Sequence, residues 1–408
     1  MHGLSFSGFS LWTGPGLYRV FFVECPAASD HSWVQTWGNM MHIDPFGVEQ
    51  WMNAYENNCS HNLAETCVAS LTISELCALV GVDDPMAGVM DRQMTYGDIV
   101  GSDALRSAIA ALFTNQEVQN VLLAHGTIGA NALVYQTLIQ AGDKVVSVVP
   151  TYQQHVSYPE ALGVQVHQIN LAADLDYVLD IGALALAAKG AKLITIVNPN
   201  NPTGAVLDSD QIRQVVEIAK ENDAWILADE VYRGTEQSGI GTSFADHYDK
   251  AISTGSTSKA FALAGLRVGW IVGPPDVLTQ IEHHRDYTTI SIGILNDHFA
   301  TFALKGADKM LARSHAIVTR NHAIVSDWIK GQNTLAWIAP KGGTTALLHY
   351  LHDMPSYDLA VKLLKDTGVL MTPGSLLGAE GTLRLGYANH TPVLKDGLKR
   401  VGAFFDRL

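Results

Sequence analysis

Ser256-Thr257-Ser258-Lys259, followed by Ala264-Gly265-Leu266-Arg267-Val268-Gly269-Trp270, decides how this chain reads. The run comes just after the short apolar stretch Ala251-Ile252, so Lys259 is expected past the end of a buried strand, among small hydroxyl residues. An arginine stands eight positions on. An amine in that setting can hold an aldehyde as an imine, and the hydroxyls and guanidinium can hold a phosphate. Most lysines are solvated surface charges, so this reading needs further segments behind it.

Two upstream segments provide them. Val197-Asn198-Pro199-Asn200-Asn201-Pro202-Thr203-Gly204 follows the apolar run 193–197, and Leu227-Ala228-Asp229-Glu230-Val231-Tyr232 continues the run 224–228. Both runs have strand length and nearly unbroken apolar character, which puts each polar segment at the carboxyl end of a buried parallel strand. Open α/β sheets bind their ligands there.

In this order and spacing, Asn-Pro-Thr-Gly, Asp-x-x-Tyr and Ser-x-Ser-Lys with the trailing Arg267 resemble the class I and II aminotransferases, a family of fold type I pyridoxal-phosphate enzymes, over roughly residues 45–405. The resemblance implies an α/β fold, with a large domain built on a mostly parallel seven-stranded sheet and a smaller α+β domain. It also implies pyridoxal 5′-phosphate as cofactor, an L-amino acid and a keto acid as substrates, and a homodimer with shared active sites.

By family position, Asp229 holds the proton on the cofactor's pyridine ring, while Tyr232 and Asn201 donate to its ring oxygen. A buried anion at the ring nitrogen makes the ring an electron sink, and two donors on the oxygen favour its ionised form. Gly126-Thr127-Ile128-Gly129-Ala130-Asn131 opens an apolar helix expected to end near Ala141. Its Gly129, Ala130 and Asn131 correspond to phosphate-binding positions, together with Ser256, Ser258 and Arg267. Helix-start N–H groups, hydroxyls and a guanidinium suit that anion. Tyr152, in Pro150-Thr151-Tyr152, corresponds to the aromatic residue stacked on the ring. Tyr96, in Tyr96-Gly97-Asp98-Ile99-Val100-Gly101 with Leu105 and Arg106 completing the pattern, corresponds to a tyrosine that reaches the phosphate of the neighbouring subunit. Arg384, in Leu383-Arg384-Leu385-Gly386-Tyr387, corresponds to the clamp on the substrate α-carboxylate, with Asn201 counted beside it; a guanidinium makes two parallel bonds and stays charged.

The implied reaction begins when an amino acid displaces Lys259 from its imine with the cofactor. The freed amine removes the Cα proton, giving a carbanion (quinonoid) stage, and returns the proton at the cofactor carbon. The same opening leads to eliminations, cyclisations and oxidations, and the fold does not choose among them. Arg285-Asp286-Tyr287-Thr288-Thr289-Ile290-Ser291 and Pro340-Lys341-Gly342-Gly343-Thr344-Thr345-Ala346 resemble the branch that holds capreomycidine-synthase-like enzymes and fungal carbon–sulfur lyases. That branch keeps a lyase and an arginine-type oxidase or cyclase open as alternatives. In Asn62-Leu63-Ala64-Glu65-Thr66-Cys67, Ala64 and Glu65 face the substrate by position. Glu65 can recognise a cationic side chain, cap a helix start at Ser74, or sit in solvent.

Composition narrows the partners. A chain of 408 residues with 47% hydrophobic residues can bury a large core and exceeds a usual single domain. A net charge of -14 argues against nucleic acid. A non-catalytic regulator of the same fold would carry a basic helix-turn-helix domain, and none is visible. No apolar run approaches the roughly 18 to 20 residues that span a bilayer. Cys25, Cys59, Cys67 and Cys77 lack metal-ligand spacing, which reads as reduced thiols in a cytoplasmic enzyme without a metal.

Short β-rich runs at 121–124, 144–149, 164–169, 193–197, 224–228, 251–253 and 268–272 alternate with helical patterns, as a parallel sheet with helices on both faces requires. The helix 209–220 has Asp208 or Ser209 as its cap. The expected division is an N-terminal arm or extension at 1–44, an N-terminal part of the small domain at 45–85, the large domain at 86–300 and the rest of the small domain at 301–408. Residues 1–40 lack the features of a secretory signal, and a start near Met40 or Met41 is an alternative.

Overall fold

The structure is a computed structural model and describes residues 42–408. Most of the expected N-terminal arm, the alternative starts at Met40 and Met41, and Cys25 lie outside the described residues. After the two-residue strand β1 (His61–Asn62) come β2 (Val121–Ala124), β3 (Lys144–Val149), β4 (Gln165–Asn170), β5 (Leu193–Val197), β6 (Trp225–Asp229), β7 (Ala251–Ser256) and β8 (Gly269–Val272). These last seven form one sheet in the order β2-β8-β7-β6-β5-β3-β4.

Five neighbouring strands of it, β4, β3, β5, β6 and β7, run parallel; β8 pairs antiparallel with both β7 and β2. The reversal puts the start of β8 at the same edge where the parallel strands end. Both faces are covered, and successive residues choose opposite faces as the pleat requires. Val145, Leu193, Leu227 and Ile252 pack with Leu133, Val134 and Ile281. Their neighbours Val146, Ile194, Ile226 and Ala251 pack with Leu184, Ile212 and Val216 on the other side. Only the edge strand β4 is largely exposed, and its sequence is correspondingly polar.

Three expectations shift. The strand expected at 251–253 runs on to Ser256, because Gly255 and Ser256 pair with Trp270 and Gly269 of β8, a partner that local composition does not announce. The helix expected to end near Ala141 is Gly126–Leu138, with Ile139 already extended. Ser209–Glu221 is capped by Asp208, whose carboxylate accepts the Gln211 N–H at 2.8 Å, so Asp208 takes this role and Ser209 begins the helix.

Later come β9 (Leu335–Trp337), β10 (Thr345–Tyr350), β11 (Val369–Leu370), β12 (Thr372–Pro373) and β13 (Thr382–Gly386). They give a four-stranded antiparallel sheet, β12-β13-β10-β9, and a short parallel pair, β1 with β11. Trp51, Leu63 and Val68 share one core with Leu348, Leu385 and Phe404, so the early segment is packed against the late one.

Candidate active site

The carboxyl edge of the large sheet opens into a cleft of about 380 Å³. Lys259 follows β7, Asp229 ends β6, and Asn201 lies in the loop after β5. Tyr152 follows β3, and Arg267 precedes the reversed β8. Arg384 comes from β13, and the early segment 64–67 lines the cleft beside it. A second cavity, of about 450 Å³, lies on the far side of the 198–204 loop and is lined by residues such as Leu171, Tyr177, Val206 and Trp337. Chemistry separates the two: only the first collects an amine, a buried carboxylate and two guanidiniums.

Asp229 is 4% exposed and held from three sides. Asn131 Nδ2 donates to its Oδ2 at 2.8 Å, the Val231 N–H donates to Oδ1 at 3.1 Å, and His155 Nε2 lies 3.3 Å from Oδ2. His155 is fixed in turn by the Tyr135 hydroxyl, 2.9 Å from Nδ1. The Asn131 side chain, expected at the phosphate, is thus committed to Asp229, while its Oδ1 accepts from Thr254 at 2.6 Å. The reason is helical: starting from Gly126, Asn131 lies in the second turn and has rotated under the sheet edge. His155 was missed, although a histidine three positions after Tyr152 at a strand's carboxyl end is a readable signal.

The N-terminus of the Gly126–Leu138 helix has no side-chain cap. The Gly126 N–H is taken by the Arg267 carbonyl at 3.1 Å, which leaves the N–H groups of Thr127, Ile128 and Gly129 as the helix's free donors. Ala130 is fully buried. The free donors therefore begin two positions earlier than the expected trio Gly129, Ala130 and Asn131, sharing only Gly129 with it, and Thr127 and Ile128 line the cleft beside Ser256, Ser258 and Arg267. Thr127 Oγ1 is buried and has no hydrogen-bond partner among the described residues. Gly126 has φ +67°, and a Cβ there would come within 2.8 Å of Arg267 Nη2, so a larger residue would displace the guanidinium.

Lys259 Nζ donates to Thr66 Oγ1 at 2.6 Å and lies 3.6 Å from Cys67 Sγ. Burial pulls the amine down, but Cys67, Tyr232 and Glu65 around it raise it overall. Of the three, Glu65 is the one charged at neutral pH: burial pushes the Cys67 thiol up to about 11 and also lifts the Tyr232 phenol. Burial pushes Glu65 up as well. The Lys259 charge and the N–H groups of Cys67 and Thr66 outweigh it and hold the carboxyl below its usual range. Glu65 Oε1 accepts those N–H groups at 2.7 Å from Thr66 and 2.8 Å from Cys67. The capping alternative for Glu65 does not hold: the helix Ile73–Val80 is capped by Thr72, in a capping box with Glu75.

Arg384 is 2% exposed. Its Nη1 donates to Asn201 Oδ1 at 3.2 Å, and Nη2 to the Ala64 carbonyl at 3.2 Å and Thr372 Oγ1 at 3.1 Å. Nε has no partner. Burial lowers the guanidinium's pKa, with Tyr232 and Glu65 opposing. Tyr152 lines the cleft and donates to Glu49 Oε1 at 2.8 Å, with Phe46 against its ring at 4.7 Å. Tyr96 is 65% exposed and lies outside the cleft of the single chain; its carbonyl accepts from Ser291 at 3.2 Å.

These residues fit a phosphorylated pyridine aldehyde. An uncapped helix start, an orphaned Thr127 hydroxyl and Arg267 suit its phosphate, a held carboxylate suits a ring N–H, and a lone amine suits an aldehyde.

A family model for aminotransferases of class I and II matches residues 58–398. Capreomycidine synthase from Streptomyces vinaceus is 27% identical over 361 residues, which cover 87% of this chain and 92% of that protein. Among solved structures, a PLP-dependent aminotransferase from Streptococcus suis superposes with a TM-score of 0.87 at 36% identity, covering 90% of this chain and 98% of that one. The PLP-dependent cyclase OrfR superposes with a TM-score of 0.84 at 26% identity, covering 90% and 99%.

Proposed function

The chain belongs to the class I and II aminotransferase family, and from that premise we propose that it is a pyridoxal-phosphate-dependent aminotransferase that moves the amino group of an L-amino acid to a keto acid at this cleft. The observation that carries the reading is the convergence of Lys259, Asp229 and Arg384 on one cavity.

Bound there, pyridoxal phosphate would supply the electron sink and the carrier for the amino group. Lys259 anchors it and moves the proton away from and back to the reacting carbons. Asp229 holds the ring N–H, kept in place by Asn131 and His155. Tyr232 and Asn201 serve the ring oxygen, and Tyr152 covers the ring face. Thr127, Ile128 and Gly129 at the helix start, with Ser256, Ser258 and Arg267, take the phosphate. Arg384 clamps the substrate carboxylate; its unpartnered Nε supports that role. Ala64 and Glu65 form the wall of the substrate's end of the cleft next to Arg384. The small unit, 45–85 with 301–408, brings that wall and Arg384 to the large unit, 86–300.

A second reading, as a cyclase or lyase, is favoured by the likeness to capreomycidine synthase and OrfR and by the anionic Glu65 at the wall. A panel of amino acids incubated with and without a keto-acid acceptor, with products followed by mass, separates the two. Keto acid formed only with acceptor is the expected result. Ammonia and pyruvate, or a cyclised amino acid, formed without acceptor would replace the transfer reading.

We further propose a cytoplasmic homodimer. Tyr96, Tyr287 and Met94 are 65%, 93% and 62% exposed, large side chains that a second copy would cover. Among the described residues no helix is long and apolar enough to cross a membrane. Tyr96 would complete the second copy's phosphate site. Sedimentation should give twice the chain mass, and Tyr96→Phe should weaken cofactor binding roughly tenfold, the worth of one hydrogen bond to a charged group. A monomer with full cofactor affinity would remove this proposal.

A further inference from the structure

We propose that Thr66 is a positioning residue for the catalytic amine, its hydroxyl being the acceptor that fixes Lys259 Nζ whenever that amine is not bonded to the cofactor. The proposal rests on the aminotransferase reading of Lys259. It starts from the 2.6 Å contact between Nζ and Thr66 Oγ1, made across 193 positions of sequence.

The hydroxyl is delivered by a turn that is fastened on every side. Asn62 Oδ1 accepts the N–H groups of Ala64 and Glu65 at 3.0 and 3.1 Å. Glu65 Oε1 folds back onto the N–H groups of Thr66 and Cys67, and the Thr66 carbonyl accepts from Thr344 Oγ1 at 2.6 Å. From beneath, Arg384 Nη2 donates to the Ala64 carbonyl, and the Gly386 N–H donates to Leu63 at 2.7 Å. Gly386 permits this contact because a Cβ there would sit 1.9 Å from the Glu65 carbonyl oxygen. All these bonds use backbone groups of the turn or other side chains, so the Thr66 hydroxyl is left free for the site.

A hydroxyl offers one donor and two acceptor positions. Thr66 takes one N–H of Lys259 and also lies beside the Tyr232 phenol, whose pKa it helps to lower against the push of burial. An amine that has given a hydrogen to Thr66 points its lone pair elsewhere and no longer sweeps about its terminal bond, which is the orientation a proton carrier needs. Cys67 Sγ, at 3.6 Å, is the weaker second acceptor.

Thr66→Val removes the hydroxyl and keeps the shape, whereas Thr66→Ser keeps the hydroxyl. In the holoenzyme, Thr66→Val should lower kcat roughly 10- to 100-fold with KM little changed, and Thr66→Ser should restore kcat to within about threefold. In the cofactor-free protein, the pH midpoint for reaction of Lys259 with pyridoxal phosphate, read by absorbance, should move down roughly one unit in Thr66→Val only. Glu65, Cys67, Tyr232 and Arg384 face the amine equally in both variants. Equal kcat in all three proteins, or a serine variant as impaired as the valine one, would overturn the proposal. If the unaltered protein transfers no amino group from any donor while the midpoints still separate valine from serine, the aminotransferase reading fails and the Thr66 assignment stands.

Discussion

Lys259→Ala is expected to cost about 10⁴-fold or more in turnover, the upper range of what one positioned acid–base group provides, and to abolish the visible absorbance that lysine-bound pyridoxal phosphate gives. The backbone around it should stand: its carbonyl still accepts from Ala262 at 3.1 Å, and Thr66 remains held through its own N–H and carbonyl. The loss would therefore report chemistry and not unfolding. Removing the charge also withdraws the main influence holding Glu65 low, so that carboxyl should rise. Two measurements check this: borohydride trapping of the cofactor on the protein, and turnover with and without a small alkyl amine. No trapping, with partial recovery by the amine, is expected. A variant that keeps more than about one hundredth of the activity would contradict the role, since such a residue is worth at least 10²-fold.

Asp229→Asn carries the second large effect. Breaking a buried charge pair by removing one partner costs about 3–5 kcal/mol, which corresponds to roughly 10²- to 10³-fold or somewhat more in rate. The substitution keeps the volume, but Asn131 Nδ2 and the Val231 N–H both donate to the carboxylate, and an amide can meet only part of that demand. The fall should appear in kcat, with the protein still folded and still binding cofactor. A kcat within threefold of the unaltered protein would show that the ring proton is held elsewhere.

Much of the frame can be read along the chain. The strands at 121–124, 144–149 and 193–197 have the edges their apolar runs predict, because a strand buried on both faces stays nearly apolar along its length, interrupted here only by the small hydroxyls of Ser147 and Thr195. That is also why the functional residues just after 193–197, 224–228 and 251–253 could be named: the end of such a run is where the chain meets the cleft. Harder to read were strands whose burial depends on a neighbour. The hydroxyl-rich end of β7 is fully buried only because β8 lies beside it.

At the site the same division holds. Asn131 looked like part of a phosphate loop, and its engagement by Asp229 comes from a partner 98 positions away. Thr66 and Cys67 carried no signal of their own beside Glu65, yet they meet Lys259 from the other end of the chain.

By itself the sequence determined the family, the type of sheet and which side chains could do the chemistry, since residue type and local periodicity record burial and reactivity one element at a time. Only the tertiary structure decided the direction of β8, which brings Arg267 to the cleft, the fixing of Asp229 by Asn131 and His155, and the seating of Lys259 on Thr66. Those are meetings of segments far apart in the chain, set by how the sheets and helices pack, and packing is a property of the whole molecule.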